Sequence, residues 1–142
     1  MSVLALETSC DDTCAAVLDG SGRLLANVIS SQRAHDRFGG VVPEIASRHH
    51  LELVNLVVER ALEEAGASIG EIELVAATQG PGLVGALLVG LSTAKGLAAA
   101  RRLPFVAVDH LQGHVAANFL AGVSAGPDGA PAGSFEPPFV CL

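Results

Sequence analysis

Apolar residues form short, closely spaced runs at the start of the chain and longer periodic segments further along. The first three runs are separated by the polar stretches ETSCDD and DGSG, which are rich in residues that favour turns. Short apolar runs between turns are typical of β-strands, so the pattern predicts three strands joined by two tight turns. These strands are expected at residues 3–6, 14–18 and 23–30.

After the loop HDRFGG the apolar period changes to that of a helix. Proline is tolerated at the first helical position and glycine is favoured just after the last, so Pro43 and Gly66 bound the first predicted helix. Its predicted buried stripe consists of Ile45, His49, Leu53, Leu56 and Val57. The next predicted elements are a strand at 72–78, the turn QGPG, an almost wholly apolar helix at 83–101, a strand at 105–108 and a third helix.

The predicted order is three strands, a helix, a strand, a helix, a strand and a final helix. Tight turns require antiparallel pairing of the first strands, whereas the intervening helices require parallel pairing of the later ones. The sequence therefore predicts an α/β fold, with a mixed sheet that has helices on both faces. This is the topology of a ribonuclease-H-like lobe.

Composition limits the classes of protein to which the chain can belong. Half of the 142 residues are apolar, which is enough for a hydrophobic core in one domain or lobe. The net charge is -7 and the eight Lys and Arg residues are scattered, which disfavours a domain that binds nucleic acid alone. Three cysteines without a C-x-x-C pair predict neither a disulfide framework nor a structural zinc site. The N-terminus lacks signal-peptide features and Lys95 interrupts the apolar run 83–100, so we expect a cytoplasmic protein without a membrane span.

The last part of the chain has a different composition. The segment GVSAGPDGAPAGSFEPP contains four glycines and four prolines, which excludes a regular element and predicts a loop. The sequence thus predicts an N-terminal lobe at residues 1–121, a Gly/Pro-rich loop at 122–138 and the start of a truncated strand at 139–142. We therefore expect the chain to be a fragment of a longer protein.

Two histidines follow the last predicted strand, in the sequence DHLQGH. Residues four apart on a helix share a face, so His110 and His114 can both direct a ring nitrogen towards one metal ion. Asp109 is placed to cap this helix, and the carboxyl ends of strands are where open α/β sheets bind ligands. From spacing alone, the alternative is one surface and one core histidine without a metal. Leu111 stands where a zinc peptidase of the H-E-x-x-H type needs glutamate, so peptidase chemistry is disfavoured.

Four segments, taken together and in this order, resemble the TsaD family of tRNA threonylcarbamoyladenosine-synthesis proteins, once called O-sialoglycoprotein endopeptidases. They are ETSCDDT, GGVVPEIASRHH, QGPGLVGALLVG and DHLQGH. The resemblance implies the first lobe of a two-lobed actin/Hsp70/sugar-kinase-like ATPase fold. It also implies a transferase that moves the threonylcarbamoyl group from threonylcarbamoyl-AMP to N6 of the adenosine 3′ of the anticodon. The tRNAs concerned read codons that begin with A.

Members of this family bind one metal ion, usually iron, through two histidines and an aspartate. His110 and His114 match the two histidines. The resemblance therefore implies one divalent ion, iron(II) in the first place and zinc as the alternative. The aspartate and most of the adenylate pocket belong to the second lobe of the family. We expect the third ligand to be absent from this chain and the chain alone to be inactive.

The resemblance also nominates site residues in the turn after the first strand and at the start of the first helix. Aspartate and serine are ordinary in turns, but this superfamily contacts phosphates and their metal at that turn. The residues nominated as catalytic are Asp11 and Asp12. Those nominated for substrate binding are Ser9, Glu44, Ser47, Arg48 and His50. The alternative for Glu44 and Arg48 is an ordinary solvated ion pair, and His49 on the apolar stripe is assigned a structural role.

The second predicted helix is apolar all round, and the sheet can cover only one side of it. Its row of small residues every four positions, from Gly82 to Ala94, favours close approach by another helix, and the alternative is close packing within the domain. The resemblance implies a smaller TsaB-type partner, bound through the helices at 43–65 and 82–101, and self-association of an isolated lobe. A TsaE-type ATPase, tRNA and threonylcarbamoyl-AMP complete the expected partners. Two alternatives stay open: a non-catalytic module like the TsaB-type partner itself, and the first lobe of a sugar or acetate kinase.

Overall fold

The structure, a computed structural model, describes residues 1–32 and 38–120 of the chain. These two ranges contain five strands, three α-helices and a single-turn 3-10 helix at Ile69–Glu71. The strands are β1 (Val3–Glu7), β2 (Asp12–Leu18), β3 (Leu24–Ser31), β4 (Leu74–Gly80) and β5 (Phe105–Asp109). The helices are α1 (Pro43–Ala65), α2 (Val84–Arg101) and α3 (His110–Ala117).

The strands form one mixed sheet in the order β3-β2-β1-β4-β5. β2 is antiparallel to both β1 and β3, while β1, β4 and β5 run parallel to one another. The tight turns after β1 and β2 produce the antiparallel pairs, and helices α1 and α2 make the crossovers that parallel pairs need. The predicted α/β fold with a mixed, ribonuclease-H-like sheet is confirmed.

The strand ends differ from the predicted ones by up to two residues. β2 begins at Asp12 rather than Cys14, because Asp12 still pairs with Ser31 of β3. β4 lies further along the chain than predicted, at Leu74–Gly80, and Ile72 is buried in the core from the segment before it. Pairing with a neighbouring strand fixes where a strand ends, and the apolar pattern of one segment does not contain that information.

The two faces of the sheet are covered differently. Leu4, Leu6 and Val17 are buried against α1 and α2, where the main core lies. The intervening residues of β1 and β2, such as Ala5 and Ala16, point to the other side, where α3 packs against β4 and β5. Since α3 has eight residues, it covers only the β4–β5 end of that side. We call the two sides the α1/α2 face and the α3 face.

The buried stripe of α1 shares Val57 with the predicted one but otherwise consists of different residues. The helix buries His50, while His49 is half-buried and Leu56 is 59% exposed. α1 packs against both the sheet and α2, so small residues lie where the contacts are closest and set the rotation of the helix. Its buried residues are Ala46, His50, Val54, Val57, Val58 and Ala61.

The row of small residues in α2 packs against the sheet. Ala86, Gly90 and Ala94 are all buried. Thr8 Oγ1, just after β1, donates a hydrogen bond to the Ala86 carbonyl oxygen and accepts one from the Gly90 N–H. A Cβ added to Gly90 would lie 2.4 Å from that oxygen, so only glycine permits this approach. The row therefore joins α2 to β1, and a partner helix would have to use other residues of α2.

Some predictions fall outside the described residues. The Gly/Pro-rich loop at 122–138 and the strand start at 139–142 do so. Within residues 1–32 and 38–120, no helix is long and apolar enough to cross a membrane.

Candidate metal centre

Three parallel strands end side by side at one edge of the sheet, and each carries a polar residue there. β1 ends at Glu7, β4 has Thr78 near its end and β5 ends at Asp109. The register of the parallel pairs brings these three residues to the same edge. Ligand sites of open α/β sheets lie at such carboxyl ends.

Asp109 is the N-cap of α3. Its Oδ1 accepts hydrogen bonds from the backbone N–H groups of Leu111 and Gln112, at 2.9 and 3.0 Å. The predicted cap is confirmed, and it fixes the direction in which α3 leaves β5. His110 is the first residue of α3, and His114 follows one turn later on the same side of the helix.

The two imidazoles converge. Their Nε2 atoms are 3.0 Å apart, the ring centroids are 4.5 Å apart and the ring planes are nearly perpendicular, at 87°. Without a metal, one Nε2 donates a hydrogen bond to the other. Two nitrogens that each lie ~2.1 Å from one ion, at ~90° to each other, are ~3.0 Å apart. The two nitrogens are therefore close enough to bind one ion together.

Two imidazoles do not complete a metal site. Protein metal sites of the catalytic type generally use three protein ligands and leave the remaining positions for water or substrate. Within residues 1–32 and 38–120, no group of three or more His, Cys, Asp or Glu side chains is arranged to hold an ion. A third protein ligand for the histidine pair would have to come from outside these ranges.

Glu7 lies directly behind His110. Its Oε2 is 3.2 Å from His110 Nδ1 and accepts a hydrogen bond from the Thr78 hydroxyl, while Oε1 accepts one from the Ser9 N–H. Burial acts to raise the pKa of the Glu7 carboxyl, but hydrogen bonds from Ser9, Thr78 and His110 together outweigh burial and lower the pKa below its ordinary value. Glu7 is thus a half-buried carboxylate surrounded by donors.

The histidine pair forms one wall of a concave surface on the α3 face, with a volume of about 460 Å³. Small apolar residues such as Ala5 and Ala16 form its floor. Cys14 also lines it, and burial, together with the charges of Asp12 and Glu7, raises the pKa of this thiol to about 12. The thiol is therefore uncharged at neutral pH, and the imidazoles face an apolar cavity of the size that small ligands occupy.

Comparison with known proteins identifies the family. The family model of TsaD, tRNA N6-adenosine threonylcarbamoyltransferase, matches residues 23–133. A curated relative of that name from Pelobacter propionicus is 61% identical over 121 residues, which are 84% of this chain and 36% of the relative. Another, from Clostridium perfringens (strain SM101 / Type A), is 52% identical over 141 residues, 99% of this chain and 39% of the relative. This chain belongs to the TsaD family. It spans little more than a third of the length of these relatives.

Solved structures that resemble this TsaD-family chain include YeaZ from Pseudomonas aeruginosa. The two are 25% identical, with a TM-score of 0.60 over 77% of this chain and 45% of that chain. Another P. aeruginosa structure, of a protein described as similar to peptidase YeaZ, is 28% identical, with a TM-score of 0.60 over 76% of this chain and 43% of that chain. YeaZ is a TsaB-type protein with an actin-like fold, so the predicted lobe of an actin-like fold is confirmed.

Ser9 is the nominated residue that lies at the histidine pair of this TsaD-family chain. Its Oγ is 3.2 Å from His110 Nδ1, and the residue is only 3% exposed. The Leu83 N–H donates to the Ser9 carbonyl oxygen at 2.8 Å, which ties the turn to the start of α2. Because so little of Ser9 is accessible, its position favours support of His110 over direct contact with a substrate.

Asp11 and Asp12 lie in the turn after β1 and at the start of β2. Asp12 is exposed, and Asp11 is half-buried. The Asp11 carbonyl oxygen accepts a hydrogen bond from the Gln32 N–H, which ties the turn to the end of β3. Among the described residues, no hydrogen bond or ion pair joins either carboxylate to the histidine pair. Their nomination as catalytic residues stays a prediction.

Glu44, Ser47 and Arg48 lie at the start of α1, on the α1/α2 face. Glu44 and Arg48 form an exposed ion pair at 2.7 Å, the ordinary surface pair that the sequence allowed. Ser47 Oγ donates to the Glu44 carbonyl oxygen, and its Cβ lies beside Gly85 of α2. In the part of the chain that the structure describes, none of the three contacts the histidine pair, so their role in substrate binding stays a prediction.

His50 has a position that does not fit contact with a substrate, because its side chain is 0% exposed. Its Nδ1 lies 2.8 Å from Thr13 Oγ1 and its Nε2 lies 3.1 Å from the Cys10 carbonyl oxygen. The Gln32 Nε2 lies 3.4 Å from the same Nδ1. These contacts fasten α1 to the β1–β2 turn and to the end of β3. These contacts favour support of that turn, and the nomination of His50 for substrate binding stays a prediction.

Glu7 is the residue at the site that the sequence analysis did not nominate. One signal was available. Glu7 is a carboxylate at the last position of a strand, and that strand runs parallel to the strand before DHLQGH. The sequence predicted parallel pairing but not which strands are neighbours. The order β1-β4-β5 brings Glu7 within reach of His110, and only the folded sheet contains that order.

Proposed function

We propose that this chain forms the N-terminal lobe of a tRNA N6-adenosine threonylcarbamoyltransferase. The reaction transfers the threonylcarbamoyl group from threonylcarbamoyl-AMP to N6 of the adenosine 3′ of the anticodon, in tRNAs that read codons beginning with A. The observation that carries the proposal is the convergence of His110 and His114 Nε2, 3.0 Å apart at the carboxyl end of β5. The names of the curated relatives support this choice of reaction.

In the proposed enzyme, His110 and His114 hold one divalent ion. Iron(II) is the first candidate and zinc the alternative, since imidazole nitrogen suits both. The third ligand is an aspartate from a part of the enzyme outside this chain. When bound, the ion supplies a Lewis acid that orients and polarises the mixed anhydride of threonylcarbamoyl-AMP.

The nominated residues of this chain come from two segments, the turn after β1 and the start of α1. Ser9 lies against His110, so its part in substrate binding is indirect. Asp11 and Asp12 follow Ser9 in the chain, in the turn after β1 and at the start of β2, and are the candidates for direct participation. At the start of α1, Arg48 is the one cation among the nominated residues, and its guanidinium suits the phosphate or carboxylate of threonylcarbamoyl-AMP. Arg48 would have to leave its ion pair to reach them, which costs little because surface ion pairs contribute ~0–1 kcal/mol.

The helices of the α1/α2 face provide the proposed surface for a TsaB-type partner. Leu51 of α1 is 64% exposed and Leu88 of α2 is 61% exposed. Leu51 follows Ser47 by about one turn, and Leu88 follows Gly85 by about one turn. Ser47 and Gly85 lie where the two helices touch, so both leucines lie near the same contact between α1 and α2. Exposed leucines on neighbouring helices favour burial against apolar helices of another protein. Without that partner, the same surface would drive self-association of the chain.

The remaining proposed partners bind elsewhere. A net charge of -7 disfavours strong contact between this lobe and tRNA, so basic surfaces outside this chain would hold most of the tRNA. A TsaE-type ATPase belongs to the same proposed assembly. A cytoplasmic location follows from the tRNA substrate and stays a prediction.

A chimera tests the proposal, because the chain spans only about a third of its relatives. The 121 aligned residues of this chain replace their counterparts in the P. propionicus relative, to which they are 61% identical. We expect the chimera, with its partner proteins, to form threonylcarbamoyladenosine on tRNA, measured by mass spectrometry of the nucleosides. The double substitution His110→Ala, His114→Ala should reduce product to background. His49→Ala, on the far side of the sheet, is the matched control and should retain activity.

The two alternatives make different predictions for the same chimera. If the double variant modified tRNA as fast as its parent, the histidine pair would be dispensable and the non-catalytic module would be the better reading. The fold shared with YeaZ is the observation that favours this alternative. ATP-dependent phosphorylation of a small metabolite, without tRNA modification, would support the sugar- or acetate-kinase lobe.

A further inference from the structure

The two histidines of the candidate centre are held in unequal ways. His110 Nδ1 has two oxygen neighbours, Glu7 Oε2 and Ser9 Oγ, each at 3.2 Å. Within residues 1–32 and 38–120, the one side-chain hydrogen bond described for His114 is that to His110 Nε2. The orientation of the pair therefore depends on what holds the ring of His110.

Glu7 is held more firmly than an ordinary surface carboxylate. The Thr78 hydroxyl of β4 donates to its Oε2 and the Ser9 N–H donates to its Oε1, so each oxygen is held by a hydrogen bond. Ser9 is itself tied to the start of α2 through the Leu83 N–H. A carboxylate fixed on both oxygens can fix a third group that donates to it.

The position of Glu7 selects one tautomer of His110. A neutral imidazole carries one proton, on Nδ1 or on Nε2. A proton on Nδ1 points at the Glu7 carboxylate, whereas a proton on Nε2 would leave the Nδ1 lone pair facing a negative charge. The first arrangement leaves the Nε2 lone pair directed towards His114, and this is the atom a metal ion needs.

We infer that Glu7 is a positioning residue for the metal centre: its carboxylate accepts the His110 Nδ1–H and thereby presents His110 Nε2 to the ion. The inference rests on the proposed function in that the ion is the one proposed there. Ser9 Oγ, at the same distance, is the weaker acceptor because it is uncharged, and it has the smaller part. Glu7 does not touch substrate or metal; it acts through His110.

The tautomer of His110 is measured without any metal. In metal-free protein at pH 8, the side-chain ¹⁵N chemical shifts of His110 should report the Nδ1–H form. Glu7→Gln keeps the shape but removes the charge, and it should move a large part of the population to the Nε2–H form. Ser9→Ala should leave the Nδ1–H form dominant. An unchanged Nδ1–H tautomer in Glu7→Gln, or its loss in Ser9→Ala alone, would overturn the inference.

Metal affinity provides the second readout. Zn(II) and Co(II) are titrated against a competing chelator, in the 142-residue chain and in the chimera with the P. propionicus relative. We expect Glu7→Gln to weaken binding by ~10–100-fold, as the loss of partners behind metal-binding histidines usually does. Glu59→Gln, an exposed carboxylate on α1, removes the same charge without contact with His110 and should bind within ~2-fold of the parent.

The two readouts separate the two hypotheses. If the parent bound neither ion, the proposed metal centre would fail, while the tautomer measurement would still decide the role of Glu7. If the parent bound metal and Glu7→Gln bound it within twofold, with an unchanged urea unfolding midpoint, the positioning role would be wrong. If Glu7→Gln lowered both the unfolding midpoint and the metal affinity while the His110 tautomer stayed unchanged, Glu7 would be a structural residue only.

Discussion

The two faces of the sheet each hold histidine, and they hold it in opposite ways. On the α1/α2 face His50 is 0% exposed and its ring nitrogens lie against Thr13, Gln32 and the Cys10 carbonyl oxygen. On the α3 face the His110 and His114 rings are partly open to a cavity, and their Nε2 atoms face each other. A histidine whose nitrogens are all used inside the protein stabilises the fold, whereas a pair whose nitrogens converge at an accessible surface can bind an ion.

The difference follows from what covers each face. Two long helices close the α1/α2 face and bury the groups beneath them. The eight-residue α3 leaves most of the other face uncovered. Among the described residues, no buried side-chain nitrogen or oxygen lacks a hydrogen-bond partner, so the polar groups beneath α1 are fully paired. Substitutions in the two regions should therefore separate stability from metal binding.

The largest expected effect is the loss of His50. His50→Ala removes the contacts of the ring with Thr13, Gln32 and the Cys10 carbonyl oxygen and leaves the buried Thr13 hydroxyl without its histidine partner, so we expect it to cost about 3 kcal/mol of the free energy of unfolding. His114→Ala, at an exposed position, should cost less than ~0.5 kcal/mol. Urea unfolding of the 142-residue chain and of each variant, followed by circular dichroism, measures both values.

Metal titration of the same two variants completes the comparison. His114→Ala should abolish the binding of Zn(II) that His50→Ala, where still folded, retains. Equal destabilisation by the two substitutions, or metal binding that survives in His114→Ala, would contradict this comparison, in which His50 contributes stability and His114 binds metal.

A smaller effect is expected where α2 approaches β1. Gly90→Ala places a Cβ 2.4 Å from Thr8 Oγ1 and should cost ~1–3 kcal/mol, the usual range for overpacking. Gly96, on the same helix, has no atom within 4 Å of an added Cβ. Gly96→Ala should therefore stabilise the chain by up to ~1 kcal/mol through helix propensity alone.

Unfolding midpoints of the two glycine variants provide the measurement. Shifts in opposite directions would confirm that the approach of α2 to Thr8 sets the position of the helix. A stabilising Gly90→Ala would mean that this approach is looser than the structure has it.

The smallest expected effect on stability is at the exposed leucines, where association changes instead. Leu88 on α2 and Leu111 on α3 are 61% and 60% exposed, so they form a matched pair on opposite faces. Leu88→Glu should reduce self-association of the chain in sedimentation velocity, while Leu111→Glu should not, and neither should change stability by more than ~0.5 kcal/mol. Equal effects on association would remove the support for a partner surface on the α1/α2 face.

The candidate site was partly predictable from sequence. The i, i+4 spacing in DHLQGH and the Asp109 cap were sufficient to place both imidazoles on one side of a helix after a strand. The spacing of His49 and His50 along α1 was not sufficient to tell which one is buried. Helix rotation depends on the packing partner, and the apolar pattern favoured the wrong neighbour.

What the sequence by itself determined is the order and type of the elements, because turn residues and apolar periodicity are local properties of the chain. The family motifs added the reaction to be tested. Tertiary structure decided which strands are neighbours, which side of α1 is buried and which carboxylate lies behind His110. These depend on contacts between residues far apart in the chain, such as Glu7 and His110, which meet only because β1, β4 and β5 lie side by side.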